Sequence, residues 1–358
     1  MNYGSFLQTI ATQKILADLG FEVTILDYIR PDEEYKNVTK LLLSHSAKWN
    51  NNIFSRCIYR LIHEPDHIIS GKAFEKQRNK YLHLSKRISN FAQQKNEIPE
   101  AQYYCTGSDQ VWGEIGSDDY DAAYFLDFVD EKKATCVAFA SSFGKNNYPD
   151  SRMDMFKELL KKYNKITVRE KSAIHIVEKA GRQADIILDP TLIVSRNYWE
   201  TFDITRKIKQ RYVLLYQLNT SKEMDKYASE FSKRLGLPLI RVSCELYNIH
   251  KVGNFKWCLS PFDFLSYIKY AEYLITDSFH GTVFAITFNK QFIEILPPDK
   301  KTRNINILEQ FGLESRIVDD LDDYSYVESN IDYDSVNNQL EFLRKEALER
   351  MKNLFMEG

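Results

Sequence analysis

An apolar run ending at Ile275 gives way to Thr276-Asp277-Ser278-Phe279-His280-Gly281-Thr282 before apolar residues resume at Val283. A histidine, a carboxylate, hydroxyls and a glycine thus fall in one connection from a strand to a helix. In open parallel sheets, ligands sit beyond the carboxyl ends of strands, and a helix start offers N–H groups and partial positive charge to a phosphate or carboxylate. Ser278, Gly281 and Thr282 are therefore expected to hold an anion, with Gly281 admitting a close backbone approach. His280 has a proton affinity near working pH, which makes it an acid/base candidate, an anion ligand when protonated, or an orienting group. The competing reading is a histidine that only caps the turn, and the neighbouring Asp277, Ser278 and Thr282 favour chemistry over it.

Such a loop needs a sheet beneath it. Apolar residues recur at helical spacing from Phe6 to Leu19, Gly20 stops that helix, and residues 23–26 read as a strand. Residues 36–96 mix Lys and Arg with scattered apolar positions and little alternation, which predicts a helical insertion that shapes an acceptor pocket. Strand signals follow at 102–105, 134–140, 165–168 and 185–188, with a helix over 171–179. After the polar stretch 205–210 the rhythm repeats. Strands are expected at 212–216, 239–242, 273–276 and 292–296, and helices at 222–235, 261–270 and after Gly281. Alternating strands and helices imply parallel sheets, hence an α/β chain of two Rossmann-like domains, 1–205 and 206–334. Residues 335–358 read as a terminal helix packing back across the junction.

The bulk numbers agree. The chain has 358 residues, more than one core usually organises, and 44% of them are apolar. Its 48 basic and 50 acidic side chains leave no net field to draw nucleic acid or anionic lipid, so any polyanion contact must be local. Cys57, Cys105, Cys136, Cys244 and Cys258 are odd in number and contain no C-x-x-C pair, which fits a reducing cytoplasm. The start Met1-Asn2-Tyr3-Gly4 lacks a leader pattern, and no run reaches the ~18 apolar residues of a membrane span.

Two metal-like patterns fail on chemistry. His63-Glu64-Pro65-Asp66-His67 matches H-E-x-x-H, but Pro65 is expected to break the helix that zinc would need. Asp119-Tyr120-Asp121 resembles D-x-D, yet the preceding Gly116-Ser117-Asp118 reads as an acidic surface loop. Neither G-x-G-x-x-G nor G-x-x-x-x-G-K-[ST] occurs, so no dinucleotide or P-loop cradle is present.

Several short segments occur in one order: Asn2-Tyr3-Gly4-Ser5, Gly107-Ser108-Asp109-Gln110-Val111-Trp112, Ala140-Ser141-Ser142-Phe143-Gly144, Val168-Arg169-Glu170-Lys171-Ser172, Ile187-Leu188-Asp189-Pro190-Thr191, the Thr276 to Phe284 segment, and Arg303-Asn304-Ile305. Together they resemble the polysaccharide pyruvyl transferase family over nearly the whole chain. The resemblance implies a GT-B-like pair of domains facing a cleft. It also implies transfer of pyruvate from phosphoenolpyruvate onto two hydroxyls of a sugar as a cyclic ketal, with no metal or organic cofactor.

On that reading His280 is the acid serving the donor, and Asp109 takes protons from the acceptor. The donor's phosphate and carboxylate exceed what one helix start neutralises. Arg169 and Arg303, with Asn304, are therefore expected to clamp it beside Ser278, Gly281 and Thr282. Tyr3, Gly4, Ser5, Ser108 and Ser141 are the acceptor-side candidates. Plainer readings compete: an ion pair of Arg169 with Glu170 or Asp189, and a capping role for Asp109.

Two departures matter. The family carries an arginine two residues before the histidine, where this chain has Ser278, so either Arg303, Lys300 or Lys301 substitutes or the donor differs from phosphoenolpyruvate. The family also has a strand before the Asn-Tyr-Gly loop, which Met1 directly precedes here, so the first strand of the first domain is expected to be missing. The implied partners are phosphoenolpyruvate and a lipid-linked or nucleotide-linked saccharide, met in the cytoplasm at the inner face of the cell membrane by peripheral association. Nucleic acid is not among them, and the oligomeric state is left open. A glycosyltransferase of the same architecture, using a nucleotide sugar, is the rival.

Overall fold

The computed structural model describes residues 2–113, 120–145, 147–296, 302–327 and 329–356. The chain begins with α1 (Tyr3–Asp18), β1 (Ile25–Tyr28), α2 (Val38–Ser44), α3 (Ile53–Tyr81) and β2 (Leu84–Ile88), and β1 pairs in parallel with β2. Then come β3 (Tyr103–Thr106), β4 (Thr135–Ser141), α4 (Met153–Lys161), β5 (Tyr163–Val168), α5 (Lys171–Lys179) and β6 (Asp185–Ile186). These four strands form a parallel sheet in chain order.

The short helices α6 (Pro190–Ile193) and α7 (Arg196–Glu200) lead to the second half. It holds β7 (Val213–Tyr216), α8 (Lys222–Arg234), β8 (Leu239–Ser243), β9 (Asn254–Trp257), α9 (Pro261–Tyr270), β10 (Tyr273–Thr276), α10 (Phe279–Thr287) and β11 (Gln291–Glu294). The parallel strand order is β11-β10-β7-β8-β9, so the winding reverses beside β7. The crevice beyond β7 and β10 is the switch point where doubly wound sheets bind ligands. All four residues of both strands are buried, as expected for strands covered on both faces.

The chain closes with α11 (Thr302–Phe311) and α12 (Tyr333–Met356). Arg344 of α12 donates to the Leu192 and Val194 carbonyls at 2.6 and 3.2 Å, and the Phe355 carbonyl accepts from the Tyr103 hydroxyl at 2.7 Å. One apolar cluster joins Tyr3 and Leu7 to Trp199, Phe264, Phe284 and Met351, so α1, α6 and α12 share a core with the second sheet.

Two expectations change. The 36–96 segment is helical only as far as Tyr81, because β2 then adds to β1. Its Leu84-Ser85-Lys86-Arg87-Ile88 sequence is too polar to read as a strand, and buried Asp27 anchors it by accepting from Arg87 Nε at 2.6 Å and from Arg78. Pro65 does not break α3 either. The carbonyl it deprives of a partner belongs to Leu61, a residue 77% exposed, where water can serve instead. Arg303, which the sequence sets just beyond the strand expected at 292–296, lies on α11.

Candidate active site

Asp109 follows β3 with a backbone φ of 93°, a conformation that costs a residue other than glycine on the order of 1–3 kcal/mol and that surrounding structure must impose. Its carboxylate is fixed from three directions. Oδ2 accepts from the Ser5 hydroxyl at the start of α1. Oδ1 lies 3.2 Å from Arg169 Nη2, just beyond β5, and 3.9 Å from Arg303 Nη1 on α11. Burial alone would raise the proton affinity of Asp109. The guanidinium charges of Arg169 and Arg303, with the Ser5 hydrogen bond, outweigh it and hold the carboxyl well below the usual range.

Arg169 is the hub. Its side chain is 1% exposed, and Nη1 donates to Asp189 Oδ2 at 2.9 Å and to Ser108 Oγ at 3.2 Å. Nε lies 3.6 Å from Glu170 Oε2 without hydrogen-bond geometry. The guanidinium sits 4.9 Å from the Phe279 ring centroid, and Arg303 approaches the same ring at 5.7 Å. Arg169, expected to clamp the donor, is therefore also an internal counter-ion, and it lines the cavity that Arg303 borders. A fully buried guanidinium persists only when paired, and both of its terminal nitrogens already serve carboxylates of the protein.

Arg303 is less committed, at 18% side-chain exposure and with its 3.9 Å approach to Asp109. Burial and then the like charge of Arg169 lower its proton affinity, so an arriving anion would relieve it. It borders a cavity of about 210 Å³ together with Lys171, Glu170, Asp189, Phe279 and Asn306.

His280 stands in the first turn of α10, which Ser278 caps. Burial lowers its proton affinity, and the nearby Asp189 and Asp109 only partly oppose this, so the ring is neutral at pH 7. Its Nε2 is buried and has no hydrogen-bond partner among the described residues. A buried polar atom left unpaired in this way asks for a functional explanation.

Several expected ligands make internal contacts in this structure. Ser278 is buried and spends its hydroxyl on the Gly281 N–H at 3.3 Å. A Cβ on Gly281 would stand 2.5 Å from Thr276 Oγ1, so close packing of the helix on the strand requires glycine there. Thr282 and Asn304 both donate to Glu294, a wholly buried carboxyl at the end of β11. Burial pushes Glu294 up to about 8, more than those two donors pull it down.

On the acceptor side, Tyr3 is fully buried and stacks on Phe264 at 4.5 Å, a core residue rather than a ligand. Ser141 is buried and donates to the Thr106 and Gly107 carbonyls, tying β4 to the Asp109 loop. Ser108 is held between Arg169 and Asp189. Ser5 positions Asp109, and Gly4 lies against His280. The Asn2 to Ser5 segment is not a loop before a helix: Asn2 caps α1, and the other three residues form its first turn.

His63 and His67 share a face of α3 with ring centroids 6.2 Å apart, and His67 Nδ1 is engaged by Thr39. Asp121 bonds the Tyr28 hydroxyl at 2.7 Å and caps the Ala123 N–H. Asp119, the 116–118 segment, Lys300 and Lys301 lie outside the described residues. Phe279 and Glu294 were not anticipated. Phe279 is an apolar residue amid a polar connection and drew no separate reading, whereas a carboxylate inside Phe292-Ile293-Glu294-Ile295 was a readable signal.

Two parallel α/β units supply the site jointly, Asp109 and Arg169 from one and His280 and Arg303 from the other, which is the GT-B-like arrangement of two Rossmann-like halves about a cleft. A putative UDP-N-acetylglucosamine 2-epimerase from Listeria monocytogenes has a similar fold, with a TM-score of 0.50 at 11% identity over 94% of this chain and 98% of that one. The MnaA protein of S. aureus, solved with UDP, gives 0.44 at 12% identity over 92% of this chain and 95% of that chain. At such identities the likeness concerns the fold alone. The chain belongs to the polysaccharide pyruvyl transferase family, whose sequence model matches residues 2–299. It is accordingly a transferase, and its family acts on saccharides. Among curated proteins none matches it in sequence.

Proposed function

We propose that the protein moves pyruvate from phosphoenolpyruvate onto two hydroxyls of one saccharide, forming a cyclic ketal, on a lipid-linked or nucleotide-linked precursor of a surface polysaccharide. The observation that carries this reading is an ionised Asp109 set between two guanidinium groups and a buried, neutral His280 whose Nε2 has no protein partner.

Donor binding brings a phosphate and a carboxylate beside His280, and those negative charges raise its proton affinity. The imidazole thus becomes charged as the donor arrives. It delivers that proton to the donor's methylene carbon, leaving an oxocarbenium-like centre at the carbon that bears the phosphate. The first sugar oxygen bonds to that centre and returns its proton to His280. The carbon–oxygen bond to phosphate then breaks, the second hydroxyl oxygen closes the ketal, and its proton leaves with the phosphate. Donor and diol become ketal and inorganic phosphate, with no change of oxidation state.

Asp109 takes a different part from the one its sequence position suggested. A carboxyl held so far below its usual range is a weak base, but its fixed negative charge stabilises both the imidazolium and the cationic carbon. Arg303 is the donor ligand of choice. The charged groups around its cavity, Arg169, Lys171 and Arg303 against Glu170, Asp189 and Glu309, cancel; Arg169 is tied to carboxylates at close range and Lys171 pairs with Glu309 at 3.6 Å, which leaves Arg303, 3.9 Å from Asp109, as the cation for an anion.

Thermal melting with phosphoenolpyruvate and with a panel of nucleotide sugars tests the donor, because a ligand bound by the native state raises the melting temperature. Phosphoenolpyruvate should stabilise the protein. Stabilisation by a nucleotide sugar alone would replace this reading with a glycosyltransferase.

A further inference from the structure

The first half of α3 shows solvent its apolar side. Asp66, His67 and Ser70 are buried, and Asp66 fastens the helix to the second half by accepting from the Leu246 N–H and Trp257 Nε1, each at 2.8 Å. A rotation of about 100° per residue carries Phe54 and Leu61 to the opposite side, with Ile53 and Ile69 flanking them. There Ile53 and Leu61 are 77% exposed, Phe54 75% and Ile69 51%, and Leu42 of α2 is 42% exposed. Single exposed apolar side chains are ordinary, but a stripe of them facing away from the core marks an interaction surface.

Charge says what covers it. Between Glu34 and Glu64 the chain carries Lys36, Lys40, Lys48, Arg56 and Arg60 and no acidic residue, although basic and acidic side chains nearly cancel over the whole protein. All five cations are exposed; Arg56 and Arg60 lie along α3 between Phe54 and Leu61 of the apolar stripe, and Arg60 and Lys36 also pair with Glu64 and Glu34 at 3.1 and 3.8 Å. Trp49, half-buried between α2 and α3, has its ring 5.8 Å from that of Tyr59, an aromatic pair of the kind found at headgroup depth. Among the described residues no helix is long and apolar enough to cross a membrane. We propose that this face of α2 and α3 docks on an anionic lipid bilayer, with Ile53, Phe54 and Leu61 inserted at the acyl boundary and the cations against the headgroups. A second copy of the chain fits less well, since a twofold contact would set the same five cations against themselves. Docking needs no catalysis, so the inference stands or falls apart from the donor assignment.

The full chain should sediment with phosphatidylcholine vesicles that contain phosphatidylglycerol, only feebly with phosphatidylcholine alone, and less as salt is raised. The double variant Phe54→Ser, Leu61→Ser removes two exposed side chains, so its melting temperature should not move while its vesicle affinity falls on the order of a hundredfold. The inference is overturned if the chain ignores anionic vesicles or if the double variant binds them as well as the unaltered protein. It is equally overturned if the stripe instead holds a concentration-dependent dimer that the double variant abolishes.

Discussion

Gly4 and His280 meet so closely that a Cβ on the glycine would stand 2.0 Å from the imidazole Nδ1. The first turn of α1 thereby seats the ring of α10, while the next residue, Ser5, donates to Asp109. One helix start positions both titratable groups of the site, and it does so from the opposite half of the molecule to His280.

Gly4→Ala should therefore damage catalysis out of proportion to stability. Within a helix, alanine is favoured over glycine by about 0.5–1 kcal/mol, so local propensity works in the variant's favour. The clash must displace the ring, and a misplacement of about 1 Å can cost on the order of a hundredfold in rate. Phosphate release measured beside a thermal melt tests this: a variant with unaltered kcat would show that the position of the ring is immaterial.

The two arginines should separate cleanly. Arg169→Ala leaves Asp109, Asp189 and Glu170 without their shared buried counter-charge, and breaking a buried pair costs about 3–5 kcal/mol. Denaturant unfolding should show that loss. Arg303→Ala removes a partly exposed cation with one long ion pair, so stability should barely change while KM for phosphoenolpyruvate rises on the order of tenfold to a hundredfold. An Arg303 variant with wild-type KM would end its candidacy as the donor ligand.

The sheets and the meeting of His280, Asp109, Arg169 and Arg303 were legible because strand ends in a parallel sheet must converge, and each of the first three follows a strand. What escaped depends on partners distant in the chain. Nothing near Tyr3 announces Phe264, and although an ion pair of Arg169 with Asp189 could be read as an option, nothing near Arg169 reveals that Asp109 and Ser108 join it there. Polar β2 was hidden because its strength lies in pairing with β1 and in Asp27, neither of which its own pattern contains.

His280 should make the pH profiles of kcat and kcat/KM part company. In the free enzyme burial lowers its proton affinity, so the charged form fades below the ordinary histidine range. The donor's anions act in the opposite direction in the complex. Since the reactive form carries the proton, kcat/KM should fall on the alkaline side at a lower pH than kcat does. Coincident alkaline limbs, or a His280→Gln variant that keeps both, would remove the imidazole from the proton path.

Glu294 offers a test that involves no substrate. Burial raises this carboxyl from 4.5 to about 8, so the folded protein keeps a proton that the unfolded chain has released. Stability from that proton is full below the unfolded value and drains as pH climbs through 4.5 towards 8, by on the order of 3–5 kcal/mol. Glu294→Gln preserves the shape beside Thr282 and Asn304 but cannot ionise. Melting curves of the two proteins should nearly coincide at about pH 5 and diverge in favour of the glutamine variant as pH approaches about 8. A gap that stays constant over that window would mean that the folded carboxyl is already charged, and that Thr282 and Asn304 stabilise an anion instead of a neutral acid.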